Sequence, residues 1–523
     1  MLKNWKTSFS VLILFLAGIL PAGEPFLKGT PDSRWKLTPY ARWTATADGS
    51  TELEVHIAPD APIRNETYGA NLGIDLAPYK GKTIVISGLI SAEGVPKGEK
   101  SHCCAKLMLF HRGGAESRYY TSSAGLWGTF RNRRQEIALR VPDPVGKNVL
   151  MAGLQNNRGV VRISGLRIEE RDLYPVPFSL PENFRCEYTE RVTKSPVLRG
   201  AGIRSDSTRQ DAADLAAEGA NMMRWWIRWD INQPETLQRS LDRLETMLPE
   251  YEKLGLKLIP VLAQVPGERY RKPLLLGINA KEESGRSKDN FRMFFEKKYL
   301  DEYVAIWETI AKRFKNSPAI HGYTLMNEPT QYGSAPYNYL YCQYLAAKAI
   351  REIDPEVPLY ISANDWDNPI GFSYLKPLPF RNILYEVHMY QPHNYTHQGV
   401  GPSIRDIRAG KYLSYPGKIG SDSYDRAMLK KILLPVVRFQ EKYGARIYCG
   451  EFSVIRWAPG GAQYLEDLCS LFEEFGWDWA YHCHREWRNW SLEYPDSFHL
   501  NSPANAPTDR QKVLRKYWSK NRQ

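Results

Sequence analysis

Ala220-Asn221-Met222-Met223-Arg224-Trp225-Trp226-Ile227 is a short, mostly apolar run, an amphipathic stretch follows over Thr236–Lys253, and a second apolar run closes the unit at Lys257-Leu258-Ile259-Pro260-Val261-Leu262-Ala263. Strand, helix and strand in that order make a crossover unit, the connection that parallel strands require. The pattern repeats outward. An apolar strand-like run at Val197–Ile203 precedes it, and others follow at Gly322–Met326, Leu359–Ser362, Ile383–Val387, Arg446–Cys449 and Trp477–Tyr481. Helical periodicity marks Thr208–Glu218, Tyr299–Phe314, Leu340–Ile353, Met428–Tyr443 and Gln463–Phe475. Eight strands alternating with helices predict an α/β fold, a (β/α)8 TIM barrel over residues 191–523.

Ahead of the barrel the pattern is different. Thr51–Ile57, Thr83–Leu89, Ala105–Phe110, Gln135–Val141, Val149–Leu154 and Val160–Ile168 alternate or are β-branched, with Gly, Pro, Asn and Asp between them. Short strands at this spacing predict an all-β jelly-roll sandwich over 24–172. The stretch 173–190, with Pro175, Pro177 and Pro181, reads as a linker. Its Phe178, Leu180, Phe184 and Tyr188 are apolar groups that a free tether would not need, so a packed linker is expected. Residues 1–23 carry Lys3 and Lys6, an apolar run from Phe9 to Leu20, and Pro21-Ala22-Gly23. That is the form of a secretory signal peptide, and the run is too short for a comfortable membrane span. The expectation is a secreted, extracellular or periplasmic protein, free of the membrane after signal removal and monomeric.

Composition narrows the function. Of 523 residues, 43% are hydrophobic and 24% charged, which excludes a disordered chain. Lys and Arg outnumber Asp and Glu by 70 − 58 = 12, but the basic residues are scattered among acids, so no nucleic-acid partner is expected. Aromatic residues reach 12%, with 15 Trp and 31 Tyr, more than core filling explains. The seven cysteines are odd in number, so at least one thiol is free, and their spacing resembles no zinc motif. Without a His-Glu-x-x-His helix or a Gly-rich phosphate loop, neither a metal nor a cofactor is expected.

In a (β/α)8 barrel, function sits at the C-terminal ends of the strands. Strand four ends in Met326-Asn327-Glu328-Pro329 and strand seven in Gly450-Glu451-Phe452, so two carboxyl groups would project into the barrel mouth. Glycosidic hydrolysis needs such a pair, one protonated to assist the leaving oxygen and one ionised to attack the anomeric carbon. With these residues, 190–520 resembles glycoside hydrolase family 5, the cellulase-like retaining family. The resemblance implies that Glu328 is the acid/base and Glu451 the nucleophile. It also implies that Asn327 binds the sugar 2-hydroxyl. The strand-two motif Gly219-Ala220-Asn221-Met222-Met223-Arg224 is similar to the family's, which implies that Arg224 lies near the nucleophile. The strand-six segment Val387-His388-Met389-Tyr390-Gln391-Pro392, followed by Thr396-His397-Gln398-Gly399, also resembles the family's, which implies that His388 and Tyr390 are its active-site pair there. An Arg beside a carboxylate keeps it ionised, as a nucleophile requires.

One departure is visible. Where the family often has a His after strand three, this chain has Ala263, with Gln264 next. Indoles stack on the apolar faces of pyranose rings. The candidates are Trp225, Trp226 and Trp229 at strand two, Trp366 after strand five, Trp457 after the nucleophile, and Trp487 and Trp490 after strand eight. The family's strand-eight Trp falls nearest His482 or Trp487, so Trp457 and Trp487 are taken with Arg224, Asn327, His388 and Tyr390 as substrate-binding residues. Leu76-Ala77-Pro78-Tyr79-Lys80-Gly81-Lys82-Thr83 with Ile84–Gly88, Ala152–Gln155 and Gly165–Ile168 resemble a carbohydrate-binding jelly roll, with Tyr119, Tyr120 and Trp127 as its exposed aromatics. The function implied is an endo-β-glycanase on a polysaccharide or oligosaccharide, β-1,4-glucan first. The alternatives are a β-mannanase, another β-glycosidase of the family, or a non-catalytic glycan-binding protein.

Overall fold

The computed structural model describes residues 34–522 apart from 47–49, 65, 101, 114–115, 123–124, 142–144, 229–232, 268–291 and 332–334. The signal segment, Trp229 and the Tyr119 and Tyr120 side chains lie outside the described residues. Two units follow one another, the first ending at Leu173 and the second opening at Tyr174.

The first unit is a sandwich of two five-stranded antiparallel sheets. One has the order Trp35–Leu37, Thr67–Gly73, Lys147–Gln155, Ala105–Gly113, Glu116–Thr121; the other Ala41–Ala45, Thr51–Ile57, Gly159–Glu170, Thr83–Val95, Gly128–Arg140. Alternation sends Leu53, Val55 and Ile57 of one sheet and Leu150, Ala152 and Leu154 of the other into a shared core. All six strands expected from the sequence are present. Trp35–Leu37, Ala41–Ala45, Thr67–Gly73 and Glu116–Thr121 were not legible, because they are short or, like Thr-Tyr-Gly-Ala-Asn-Leu-Gly, carry too few apolar residues to alternate. Trp127 is half-buried against the core and donates its indole N–H to the Cys103 carbonyl at 2.8 Å, so it is a packing residue and not an exposed platform.

The second unit is a closed parallel barrel of eight strands: β1 Arg199–Ile203, β2 Met222–Ile227, β3 Lys257–Leu262, β4 Tyr323–Thr324, β5 Leu359–Ser362, β6 Ile383–Met389, β7 Arg446–Phe452 and β8 Asp478–His484, which pairs back onto β1. Strands walled by helices outside and side chains inside are buried on both faces, and every residue of β2 and β6 is buried. Met222, Ile259, Tyr360, Leu384, Tyr448 and Ala480 form an apolar layer closed off by Val192 and Leu198. Two residues further along the same strands stand Arg224, Glu386, Gly450 and His482, the next positions of the inward-facing period. The barrel thus turns from apolar floor to charged mouth in one step of its pleat.

The Pro-rich stretch belongs to this unit. The Tyr174 ring stacks on Tyr374 at 5.1 Å, and its hydroxyl accepts from Asn364 Nδ2 at 2.9 Å. Phe178 packs on Tyr344. Tyr188 Oη donates to the Ile383 carbonyl at 3.1 Å and accepts from the Arg446 N–H at 2.6 Å, tying the starts of β6 and β7. All seven cysteines are unpaired thiols. Among the described residues, no helix is long and apolar enough to cross a membrane.

Candidate active site

Glu451 stands near the end of β7, and strict alternation after Tyr448 would turn it outward. The ladder is irregular there: the β6–β7 register shifts between Val387 and His388, and the β7–β8 register shifts between Cys449 and Phe452. A bulge re-aims a side chain, and here it brings the Glu451 carboxylate inward onto Arg224. Arg224 Nη1 is 3.0 Å from Glu451 Oε1, and the Tyr390 hydroxyl donates to Oε2 at 2.8 Å. His388 Nε2 and His482 Nδ1 lie 3.9 Å from its two oxygens. Burial pushes the Glu451 carboxyl up, but His388, His482, Arg224 and the Tyr390 bond outweigh it and hold the group down at about 2. It is a carboxylate at any neutral pH.

Glu328 follows β4. Its backbone is left-handed, with φ +47°, a conformation that costs a non-glycine residue energy and needs support. The support comes from the loop after β5, where Asp365, Trp366 and Asp367 are also left-handed. Asp367 Oδ2 accepts the Glu328 N–H at 2.9 Å, and Trp366 N–H bonds the Pro329 carbonyl at 3.2 Å. Burial pushes the Asp367 carboxyl well above the usual carboxylate range despite the pull of His388. Glu328 Oε1 meets His388 Nδ1 at 3.0 Å, and its side chain keeps 23% of its surface exposed. A carboxylate oxygen of Glu328 and one of Glu451 lie within 4.8 Å of each other.

Of the residues picked from the sequence, Arg224, Asn327, Glu328, His388, Tyr390 and Glu451 converge. Asn327 Oδ1 accepts from Arg224 Nη2 at 2.8 Å, which orients its amide. Trp457 does not join them: it is buried, gives its indole N–H to the Gln398 carbonyl at 2.8 Å and packs edge-on to Phe498. Trp487 is half-buried and one ring further out, edge-on to Trp490 at 4.8 Å. The ring beside the site is Trp490, stacked on Tyr390 at 5.5 Å and edge-on to His482 at 5.2 Å. At the end of β8 it is therefore His482, not Trp487, that faces Glu451. Trp226 lies beneath Arg224, whose guanidinium carbon sits 4.4 Å over the ring, and donates to Glu486 at 3.1 Å. Trp225, Trp477 and Trp479 are buried in the barrel wall. Ala263 and Gln264 are half-buried just beyond β3.

Sequence reasoning missed Glu386 and Asp367. Glu386 is fully buried, accepts from Arg224 Nε at 3.2 Å and Nη2 at 3.0 Å and from the Thr324 hydroxyl at 2.7 Å, and faces His388 Nε2 at 3.0 Å. One signal was available: an acid two residues from both Leu384 and His388 in a doubly buried strand must face inward and must have cationic partners. Asp367 had none, because its role rests on loop conformation. Among the described residues, two groups could gather ligand atoms around a metal, Glu328–His388–Glu451 and His482–Cys483–Glu486. In the first, both His388 nitrogens already face carboxylates; in the second, Arg228 and Trp226 hold Glu486.

A parallel barrel with two carboxyl groups this close across its mouth, one buried and ion-paired and one partly exposed, is a glycoside hydrolase of the retaining class. The chain belongs to glycosyl hydrolase family 5, whose cellulase model matches residues 190–494. Endoglucanase C of Acetivibrio thermocellus is 27% identical over 297 residues, covering 51% of this chain and 81% of the relative. Cellodextrinase A of Ruminococcus flavefaciens is 24% identical over 249 residues, 47% of this chain and 68% of the relative. A crystal structure of a glycoside hydrolase aligns over 62% of this chain and 99% of its own, at 19% identity and a TM-score of 0.48.

Proposed function

We propose that this protein is a secreted retaining endo-β-glycanase acting on β-1,4-linked polysaccharide, with β-glucan as the first substrate, by double displacement. The observation that carries the reading is the facing pair, Glu451 held down at about 2 and Glu328 within 4.8 Å of it. Glu451, its oxygens oriented by Arg224 and Tyr390, attacks the anomeric carbon while Glu328 gives its proton to the departing glycosidic oxygen. The carbon–oxygen bond breaks, a glycosyl ester forms on Glu451, and Glu328 is left ionised. Glu328 then takes a proton from water, the resulting oxygen displaces the ester, and the sugar leaves with its configuration kept. The separation leaves no room for a water between carboxylate and sugar, which an inverting reaction needs. Asn327 offers its amide to the 2-hydroxyl, and Trp490 supplies an apolar ring near the site. The names of the relatives, an endoglucanase and a cellodextrinase, favour β-glucan; export rests on the charged and apolar pattern of residues 1–23.

The test is a pair of substitutions read on two substrate types. Glu451→Ala should abolish turnover everywhere. Glu328→Ala should lose polysaccharide hydrolysis but still react with activated aryl β-glycosides, whose leaving groups need no proton. Equal loss on both would remove Glu328 from the acid role. Proton NMR of the first-formed anomer, on a panel of β-glucans, mannans and xylans, reads stereochemistry and substrate together.

A further inference from the structure

One fully buried charged group in the barrel has no place in the chemistry above. Glu386 lies two residues below His388 on β6, with no exposed surface, and bonds to groups on three strands: Arg224 on β2, Thr324 on β4 and His388 on its own strand. Room for it was made on a fourth. A Cβ added at Gly450 would stand 1.9 Å from Glu386 Oε1, so the inward-facing position before Glu451 is empty of side chain because the carboxylate fills it. An acid buried this completely costs several kcal/mol unless cations repay it, and Arg224 and His388 are the cations within reach.

We infer that Glu386 is a positioning residue: its buried carboxylate keeps His388 as an imidazolium that donates from both ring nitrogens, one to Glu386 and one to Glu328, and thereby governs how readily Glu328 holds its proton. The inference rests on the assignment of Glu328 as acid/base. Charged and titratable groups face His388 from every strand around it: Glu386 beneath, Glu328 from the loop after β4, Asp367 from the loop after β5, and Glu451 from β7. Beyond them lie Arg224 on β2, Tyr390 past the end of β6 and His482 on β8, all bearing on Glu451. Burial works against a charged His388, yet Glu451, Asp367 and its bonds to Glu328 and Glu386 hold it well above the ordinary histidine range. Glu386 itself is pushed up by burial and pulled back below the ordinary range by Arg224, His388 and Thr324.

An imidazolium 3.0 Å from Glu328 favours the ionised carboxylate, whereas Glu386 lies across the ring from it. Replacing Glu386 by Gln keeps the shape and removes one of the charges that hold the proton on His388, the one bonded to its Nε2. His388 then falls neutral in the working range, Glu328 loses its near cation, and it keeps its proton to higher pH. The full-length protein, labelled with 15N-histidine, is titrated by NMR as wild type and as Glu386→Gln. The wild-type His388 ring should stay doubly protonated to pH 8 or beyond, and in Glu386→Gln it should titrate at least one pH unit lower. On an aryl β-glycoside whose leaving group needs a proton, the alkaline limb of kcat/KM should move up by about the same amount, with kcat reduced. A merely structural Glu386 would lower kcat and leave the limb in place. A limb that stays, or a wild-type His388 that loses its proton near its ordinary value, overturns the inference; the latter measurement decides the matter even if the variant does not fold. The NMR titration does not depend on turnover, so failure here is separable from failure of Glu328→Ala and Glu451→Ala to behave as proposed.

Discussion

At the residue scale, Glu451 shows how a group is kept reactive inside a protein. Its carboxyl is drawn from an ordinary 4.5 to about 2 by His388, His482, Arg224 and the Tyr390 hydroxyl, against the burial that would raise it. A lowered folded-state value means that the ionised group favours the fold above the unfolded value, and that this contribution disappears as pH falls through about 2. Stability should therefore decline across that acid window, as equilibrium denaturation at a series of pH values would report. Tyr390→Phe deletes the 2.8 Å bond to Oε2. A hydrogen bond to a charged group is worth about 1.5–3 kcal/mol, so kcat/KM should fall roughly ten- to a hundredfold. The acid limb of the rate profile should move to higher pH, because the carboxyl rises toward its ordinary value. Unchanged limbs would show that Tyr390 does not act on the nucleophile.

At the element scale, the site depends on two backbone irregularities. The bulge at the end of β7 turns Glu451 inward, and it works only with glycine at 450. Gly450→Ala drives a methyl into the Glu386 carboxylate, which is hemmed in by Arg224, Thr324 and His388 and cannot retreat. Overpacking of this kind costs about 1–3 kcal/mol or more, and activity should be lost with it; a variant melting and turning over like the wild type would show that β7 relaxes freely. The second irregularity is the left-handed turn at Glu328, pinned by Asp367. Burial raises the Asp367 carboxyl, and its useful feature here is an oxygen that accepts the Glu328 N–H. Asp367→Asn should keep activity within a few-fold, while Asp367→Ala should lose roughly 1–3 kcal/mol of stability by orphaning that N–H and much of kcat. Steady-state kinetics and thermal melting on the pair separate the two outcomes.

At the scale of the whole molecule, the barrel extends beyond the family's own boundary. The family match opens at residue 190, yet Tyr174, Phe178 and Tyr188 lie against barrel side chains and backbone upstream of it. A chain opening at Tyr174 should melt higher than one opening at Glu190. Loss of these three aromatic anchors is worth about 3–5 kcal/mol on the scale of large core truncations, which for a domain of this size is a drop on the order of 10 °C. Equal melting temperatures would mean that the strap is decoration.

What the sequence alone determined is what local patterning can encode. Short apolar runs and period-3.6 stretches marked all eight barrel strands and most of their helices. The residues at strand ends then marked Arg224, Asn327, Glu328, His388, Tyr390 and Glu451 as neighbours, because a parallel barrel brings every strand's C-terminal end to one mouth. Only the tertiary structure decided the rest. Trp457 and Trp490 look alike in sequence, but one is sealed under the Gln398 carbonyl and the other lies against Tyr390. His482 faces the nucleophile where Trp487 was expected, because the chain beyond β8 swings that indole one ring outward onto Trp490. Glu386 reads as one acid in an apolar strand until Arg224, Thr324 and Gly450, separated from it by 62 to 162 positions, are folded around it. Periodicity is a property of neighbours along the chain, whereas charge compensation, close approach and the space left by a missing side chain belong to neighbours in space.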